Sequence, residues 1–378
     1  MTAALDRLFA LAEANGEGDV PPIVGLPVAP PRDLLYRYLD QAFDAHRLSN
    51  FGPLATRLEE RLAEHLGVPH LLLTANGTLG LQIALKLFAV EGEVLMPAFS
   101  FAATAAAADW VGLTPRYLEI EWGSLTLDPA AVDGALAERP AGAVMPVHTY
   151  GGAADVEAFA RIGAAHGLPI LYDAAHAFGA VLDGRSLIAF GDAAVLSLHA
   201  TKPFHTVEGG AIVLHDADRA ARARRMIAFG LDRTGAAVDP GTNAKLSELH
   251  AAVGLALLDG YDAIAERRHA VVERYRQHLA GAVPILPEAP RGTGNASYMA
   301  ILMPDEARLL KLMKAAEAAG VGLKRYFHPP LHLPGAAERL PVTEDVSARA
   351  LCLPLHPDLA EAQVARVCAF VLAALADR

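Results

Sequence analysis

Apolar residues recur along the chain in two alternating patterns, one typical of helices and one of short buried strands. Leucines fall four residues apart from Leu54 to Leu66, and this spacing predicts an amphipathic helix. The run HLLLT that follows at 70–74 is short and mostly apolar, as in a buried strand. The alternation continues, and it predicts helices at 31–46, 54–66, 78–88, 102–111, 129–137 and 156–166, and strands at 70–74, 93–96, 116–119, 143–147, 169–172, 193–198 and 211–214.

Strands separated by helices indicate βαβ units, and therefore a largely parallel sheet with helices on both faces. After this region, residues 247–276 predict one long helix, or two helices with a kink near Gly260. From Val283 onward, shorter strands alternate with helices, including an alanine-rich helix at 306–319 and a final helix from Ala360.

The chain is therefore predicted to be an α/β protein with a mostly parallel central sheet in a large domain and a smaller α+β C-terminal domain. Residues 1–20 predict a short alanine-rich helix, and the proline-rich segment after it predicts an extended lead-in. The predicted parts are an N-terminal extension at 1–26, the large domain at 27–262 and the small domain at 263–378.

Composition and charge narrow the classes of function. The 378 residues include 32 Lys and Arg against 43 Asp and Glu, which gives a net charge of −11. This acidic balance argues against a protein that coats nucleic acid or an anionic membrane. The sequence contains no apolar run long enough for a membrane span and no basic leader, and Cys352 and Cys368 are expected to be buried free thiols. We therefore expect the cytoplasm as its location.

The segment LSLHATKPFHTVEGG at 196–210 places a lysine, Lys202, just after an apolar run. Small, aromatic and hydroxyl side chains surround the lysine, and no acidic cluster lies beside it. An ordinary exposed loop lysine is the alternative interpretation. Partly apolar surroundings make a lysine easier to deprotonate, which is what Schiff-base chemistry requires.

An aspartate, Asp173, follows an apolar strand in the segment ILYDAAHAFGA at 170–180. It could be the N-cap of a helix over 174–177, or it could lie at the carboxyl end of a strand and face a ligand crevice. The pairing of this carboxylate with Lys202 favours the second interpretation. Pyridoxal phosphate needs a lysine for its aldehyde and a carboxylate that keeps its ring nitrogen protonated.

The segment TANGTL at 74–79 lies between a predicted strand and a predicted helix. Gly77 permits close backbone approach, and the amide groups from Thr78 onward begin the helix, so that this end can bind an anion. An ordinary turn at Asn76–Gly77 with Thr78 as the helix N-cap is the alternative.

Taken together, five segments resemble the DegT/DnrJ/EryC1/StrS aminotransferases, which are pyridoxal-phosphate sugar aminotransferases of the aspartate aminotransferase fold (fold type I). The resemblance extends from Pro27 to the C-terminus, and the lysine segment followed by EGG is its most specific part. The first 20 residues extend beyond the usual family start. The segments are the strand–NGT–helix, PAFSFAAT, YDAAHAFGA, HATKPFHTVEGG and GTNAKLSELHAAVGL.

The resemblance implies a role for each matching residue. Lys202 matches the Schiff-base lysine, and Asp173 matches the carboxylate at the ring nitrogen. Phe101 matches an aromatic residue that stacks on the ring, although packing at an apolar helix start is an alternative role. The remaining matches are His176, in place of a frequent glutamine beside the phenolic oxygen, Gly77, Thr78 and Ser197 at the phosphate, and Asn243, which reaches the phosphate of the neighbouring subunit in a homodimer.

The resemblance also implies a reaction, in which L-glutamate gives its amino group to a keto sugar on a nucleotide diphosphate. The combination of motifs is most similar to enzymes that aminate a dTDP-linked 4-keto-6-deoxy sugar. Arg233, Lys245 and Arg325 are candidate substrate residues, and an ordinary exposed charge is the alternative for each. Lys245 stands where relatives often have arginine, which leaves its role open because the two side chains bind anions differently.

Other activities compete with this one. A dehydratase of the same fold has a histidine in place of the lysine, so Lys202 argues against it. An aminotransferase acting on a keto-inositol or a 3-keto sugar stays open. A non-catalytic regulator with the same fold would not need Lys202, Asp173 and Asn243, all of which are present.

Overall fold

The computed structural model describes residues 20–333 and 339–376, so all but the last residue of the helix predicted over 1–20 lies outside the described residues. Within these residues there are twelve strands, numbered in chain order: β1 (His70–Thr74), β2 (Glu93–Pro97), β3 (Thr114–Leu118), β4 (Ala143–Val144), β5 (Leu171–Asp173), β6 (Val181–Leu182), β7 (Arg185–Ser186), β8 (Ala193–Ser197), β9 (Gly210–Leu214), β10 (Ile285–Leu286), β11 (Met299–Leu302) and β12 (Ala350–Leu353).

Helices alternate with these strands as the sequence predicts, with ends that differ by up to three residues. The α-helices are α1 (Arg32–Asp44), α2 (Pro53–Leu66), α3 (Gly77–Leu87), α4 (Ala102–Trp110), α5 (Pro129–Glu138), α6 (Val156–His166), α7 (Ala217–Ile227), α8 (Glu248–Leu258), α9 (Tyr261–Leu279), α10 (Glu306–Ala318), α11 (Pro341–Arg349) and α12 (Glu361–Ala376).

In the described part of the chain, the central sheet has seven strands in the order β3-β2-β4-β5-β8-β9-β1. Hydrogen bonds connect β3-β2-β4 and β5-β8-β9-β1, and parallel bridges from Val144 to Ile170 and from Val147 to Asp173 join the two groups. Strand β9 pairs antiparallel with both of its neighbours, and the other strand pairs of this sheet are parallel. The predicted mostly parallel sheet of an α/β protein is therefore confirmed.

Helices cover both faces of this sheet, and each face has its own apolar core. On one face α2 and α6 contribute side chains such as Leu58 and Phe159. On the other face α3, α4 and α7 contribute side chains such as Leu81 and Met226. Helix α2 buries the complete leucine stripe that its sequence spacing predicts, because residues four apart lie on the same side of a helix.

A buried carboxylate from a distant part of the chain caps the N-terminus of α2. Glu248, at the start of α8, accepts hydrogen bonds from Leu54 N at 2.7 Å and from Ala55 N at 3.0 Å. The first amide groups of a helix have no acceptor within the helix, so Glu248 satisfies two of them from a distant part of the chain. Pro53 stands in the first turn, where its missing N–H costs nothing, and Gly67 ends the helix at a φ of 64°.

The C-terminal part forms a separate apolar core around the antiparallel sheet β10-β11-β12 and helices α10 and α12. Helices α8 and α9 are separate and flank Gly260, as the kinked alternative predicts. Tyr261 of α9 packs in a core of the central sheet, and Tyr275 packs in the C-terminal core. One helix thus passes between the two cores, and the domain boundary at residue 262 stays a prediction.

Cys352 and Cys368 are both buried free thiols, as predicted. They lie on β12 and α12, where apolar side chains surround them. Across the described residues, the helices are all too short or too polar to span a bilayer.

Candidate active site

A pocket opens at the edge of the central sheet where its parallel strands end. Asp173 is the last residue of β5, Ser197 is the last residue of β8, and Phe101 lies beyond the end of β2. Ligands of open α/β sheets bind at this edge. The loop between β8 and β9 brings Lys202 to the same pocket, and the C-terminal part closes it with Tyr298, Lys324, Tyr326 and Phe327.

Asp173 is buried and held by two donors. Thr104 Oγ1 donates to Asp173 Oδ2 at 2.7 Å, and Ala175 N donates to Oδ1 at 3.1 Å. Burial raises the pKa of the carboxyl, whereas these two hydrogen bonds and the charge of Lys202 lower it. Residues 174–177 form turns and not a helix, so the N-cap interpretation of Asp173 is wrong.

Lys202 places its amine inside the pocket. Its Nζ lies 3.3 Å from the phenol oxygen of Tyr298 and 5.7 Å from the centroid of that ring. Burial lowers the pKa of the amine to about 8, and the Asp173 carboxylate opposes this shift. About a tenth of the amine is therefore neutral and nucleophilic at pH 7, a far larger fraction than an exposed loop lysine would provide.

His176 is buried beside this amine as a neutral ring. Burial, followed by the charge of Lys202, holds the pKa of the imidazole well below its ordinary value. Its Nδ1 accepts from Tyr150 N at 3.3 Å, which assigns the ring hydrogen to Nε2. The backbone oxygen of His176 accepts from Asn295 Nδ2 at 2.7 Å and from Ser297 Oγ at 2.8 Å, so a loop of the C-terminal part fixes its position.

The N-terminus of α3 forms one end of the pocket. Asn76 is the N-cap residue, and its side chain accepts from Leu79 N at 2.8 Å. Thr78 lies within the first turn, so its predicted alternative role as the N-cap is wrong. A Cβ on Gly77 would lie 3.3 Å from Leu196 O, and one on Gly210 would lie 2.5 Å from the Asn76 backbone. The two glycines let the strands approach the amide groups closely.

Phe101 is the N-cap residue of α4 and is 59% exposed, although it lines the pocket. The alternative role, packing at an apolar helix start, is therefore wrong. An exposed aromatic ring beside a buried carboxylate leaves an apolar face that a flat ligand ring could cover.

These groups fit pyridoxal 5'-phosphate. The cofactor requires an amine for its aldehyde, a carboxylate for its ring nitrogen, an aromatic face for its ring and an anion site for its phosphate. A single pocket contains all four groups, which are supplied in this order by Lys202, Asp173, Phe101 and the start of α3. His176 and Ser197 add polar groups to the same lining.

Four predicted residues lie outside the lining of this pocket. Asn243 is exposed, and Lys245 Nζ donates to its side-chain oxygen. Arg233 is exposed on the segment after α7. Arg325 donates to Glu306 Oε1 at 2.7 Å and to Ala348 O at 3.0 Å. The substrate roles of these residues and the role of Asn243 stay predictions.

The structure brings in residues that the sequence did not single out. Thr104 lies in the segment PAFSFAAT, and a hydroxyl on the buried face of an alanine-rich helix is the signal that could have identified it. Tyr298 and Lys324 come from the C-terminal part, more than 90 residues after Lys202. No local pattern could have placed these two in the pocket.

Comparison with known proteins agrees with this arrangement. The chain matches the DegT/DnrJ/EryC1/StrS aminotransferase family over residues 33–372. It is 35% identical to dTDP-4-amino-4,6-dideoxy-D-glucose transaminase of Shigella dysenteriae, over 90% of this chain and 95% of that one. It is 31% identical to UDP-2-acetamido-2-deoxy-3-oxo-D-glucuronate aminotransferase of Pseudomonas aeruginosa, over 84% and 90%.

The crystal structure of DesI in the presence of its TDP-sugar product superposes with a TM-score of 0.89 at 37% identity. The superposition covers 97% of this chain and 96% of DesI. The predicted fold, the aspartate aminotransferase fold of pyridoxal-phosphate enzymes, is confirmed. The chain belongs to the DegT/DnrJ/EryC1/StrS aminotransferase family and is a pyridoxal-phosphate-dependent aminotransferase.

Proposed function

We propose that this aminotransferase moves an amino group from L-glutamate to a keto sugar carried on a nucleotide diphosphate, and that the sugar is a dTDP-linked 4-keto-6-deoxyhexose. The observation that carries the chemistry is the placement of the Lys202 amine and the Asp173 carboxylate in one pocket with the start of α3. The relative from Shigella dysenteriae and DesI, with their dTDP- and TDP-sugars, support the choice of nucleotide.

Each residue has a defined task in this proposal. Pyridoxal phosphate, when bound, supplies a protonated ring that accepts the electron pair left on the substrate carbon. The Asp173 carboxylate holds the proton on the ring nitrogen, and Thr104 holds the carboxylate. The Lys202 amine attaches the cofactor and, once free, moves a proton from the carbon that bears the donor's amino group. His176 would donate from Nε2 to the phenolic oxygen of the bound cofactor, since its Nδ1 accepts from Tyr150 N, and Phe101, which lines the pocket, would cover the ring.

The same residues act in both halves of the reaction. L-Glutamate loses its amino group and leaves as 2-oxoglutarate, after which the keto sugar enters and its carbonyl carbon receives the amine. Lys202 Nζ now delivers a proton to that carbon. In each half the lysine takes up one proton and gives it back, so it acts as both base and acid. A pKa of about 8 lets the amine take either form near neutral pH.

We further propose that the enzyme is a homodimer in which Asn243 reaches the phosphate in the partner's site. Asn243 lies on a segment that exposes Phe229 at 52% and Val238 at 55%. Exposed apolar side chains around a polar group that is outside its own pocket are typical of a surface that a second subunit covers. The two buried thiols suit the reducing cytoplasm as the setting.

A 3-keto sugar is the second candidate acceptor. The relative from Pseudomonas aeruginosa, which is named for a 3-oxo sugar on UDP, supports it at nearly the same identity as the first. A keto-inositol acceptor is the third, and it would lack the diphosphate.

In the test, the yellow holoenzyme is first treated with L-glutamate until its absorbance is lost, and one acceptor is then added at a time. The panel contains dTDP-4-keto-6-deoxyglucose, a UDP-linked 3-keto sugar and a keto-inositol, with recovery of the cofactor absorbance and mass spectrometry of the product as readouts. We expect recovery and an aminated product with the dTDP sugar. Recovery with keto-inositol alone would contradict the proposal, and a Lys202→Ala variant should show no recovery with any acceptor.

A further inference from the structure

Two adjacent cations, Lys324 and Arg325, face different surroundings near the pocket. The backbone at Lys324 is fixed by hydrogen bonds with Cys352 in both directions, at 3.2 Å and 2.8 Å. Successive side chains of an extended segment point to opposite sides. Arg325 accordingly reaches Glu306 and the carbonyl groups of α11, whereas Lys324 lines the pocket.

The Lys324 amine is available to a ligand. Its Nζ lies 5.8 Å from the centroid of the Tyr326 ring, and no carboxylate of residues 20–333 or 339–376 forms an ion pair with it. An ammonium group near an aromatic face still has its three donors free for an anion.

The other charged groups that line the pocket have their own tasks or partners. Asp173 and Lys202 belong to the chemical centre, and Glu208 Oε1 lies 3.6 Å from His199 Nε2. Within the described part of the chain, Lys324 is the remaining charged side chain of the lining.

The lead-in segment leaves room beside this amine. Gly25 has a φ of 80°, and a Cβ there would lie 3.1 Å from the Thr201 side chain and 3.9 Å from Lys324 Nζ. A larger residue would therefore be strained and would fill the space between these two groups. The backbone of this segment is held in place because Val24 N donates to Gly322 O at 2.9 Å.

We propose that Lys324 binds the diphosphate of the nucleotide-linked acceptor, an inference that rests on the proposed function. A lysine presents a point charge with rotatable donors, which suits a phosphate oxygen, whereas the carboxylate of a donor such as glutamate is matched best by the planar fork of an arginine. Lys324 is exposed, and a diphosphate bound to it would stay partly in water. The neighbouring Arg325 is instead engaged with Glu306 and with Ala348 O.

The test measures binding of dTDP to the holoenzyme by calorimetry, so that turnover is not needed. Loss of one charge-assisted contact should weaken dTDP binding by about tenfold in Lys324→Met, and Lys324→Arg should restore most of it. The dependence of binding on salt concentration should also become shallower in Lys324→Met. Lys311→Met, which removes an exposed lysine from α10 outside the pocket, is the matched control and should bind as the wild type does.

A second arm uses glutarate, which carries the two carboxylates of the donor without its amine. If Lys324→Met weakened glutarate binding but left dTDP binding unchanged, Lys324 would face the donor and the proposal would be overturned. Equal dTDP binding by wild type and Lys324→Met would overturn this inference alone. Failure of the wild type to bind dTDP would overturn the dTDP-sugar function as well, so the two failures are distinct.

Discussion

Thr104 Oγ1 lies 2.7 Å from Asp173 Oδ2, and Ser100 Oγ lies 2.7 Å from the same threonine hydroxyl. Because the threonine hydrogen points to the carboxylate, the serine donates to the threonine. This chain of two hydroxyl groups runs from the loop after β2 to the end of β5. It stabilises the ionised carboxyl, whose pKa burial would otherwise raise further.

Replacing Thr104 with valine keeps the shape of the side chain and removes the donor. We expect the pKa of Asp173 to rise and transamination to slow by about tenfold or more, the value of one charged hydrogen bond. Since the reaction needs the ionised carboxylate, the acid limb of the rate profile should move to higher pH. Thr104→Ser keeps the hydroxyl and should restore the profile, and an unmoved acid limb in Thr104→Val would contradict this role.

The lowered pKa of Lys202 predicts how the apoprotein takes up its cofactor. Only the neutral amine attacks the aldehyde, so the rate of covalent attachment should rise about tenfold per pH unit below the pKa and level off above it. With the pKa at about 8, the plateau should begin there and not near the ordinary value for lysine. Stopped-flow absorbance measures the rate, and borohydride reduction with peptide mapping identifies the attached lysine. Attachment at another lysine would contradict the assignment.

Because His176 is neutral, we expect this position to tolerate a neutral residue that can also donate a hydrogen bond. Glutamine also offers a donor, so His176→Gln should keep activity within about threefold, whereas His176→Phe should lose about tenfold because it cannot hydrogen-bond. The pH profile of the wild-type rate should contain no ionisation of His176, because burial keeps the pKa of this imidazole well below its ordinary value. The visible absorbance of the bound cofactor should shift in the phenylalanine variant alone. Equal losses in both variants would indicate a packing role.

The contact between Glu119 and α11 predicts an effect on stability. The Glu119 carboxylate accepts from Val342 N at 2.9 Å, from Thr343 N at 2.8 Å and from Thr343 Oγ1 at 2.6 Å. Glu119→Ala leaves these donors without their acceptor and should cost about 2 kcal/mol of unfolding free energy, as loss of a strong helix cap does. Glu119→Gln keeps one acceptor oxygen and should cost about half as much. Urea unfolding measures both, and an unchanged midpoint in Glu119→Ala would contradict the capping role.

The alternation of helices and strands, and with it the parallel sheet, was predictable from the sequence because each element carries its own period. The leucine stripe of α2 and the apolar runs of β1 and β9 specify their type without help from the rest of the chain. Asp173, Lys202 and Gly77 could be singled out for a related reason. Each follows an apolar strand or begins a helix, and strand ends meet at one edge of such a sheet.

Other features depend on contacts between distant segments, which leave no period in the sequence. In the sequence, Thr104 is one more residue of an alanine-rich helix. Its role follows only from the packing of α4 beside β5, which brings the Thr104 hydroxyl to Asp173. The sequence singled out Arg325 but not Lys324, and the pairing with Cys352 sets which of the two cations faces the pocket. The protonation states of Lys202 and His176 also follow from the fold, since burial by residues far along the chain shifts both pKa values. Local propensity thus determined the elements, whereas packing determined the electrostatics and the hydrogen-bond partners of the site.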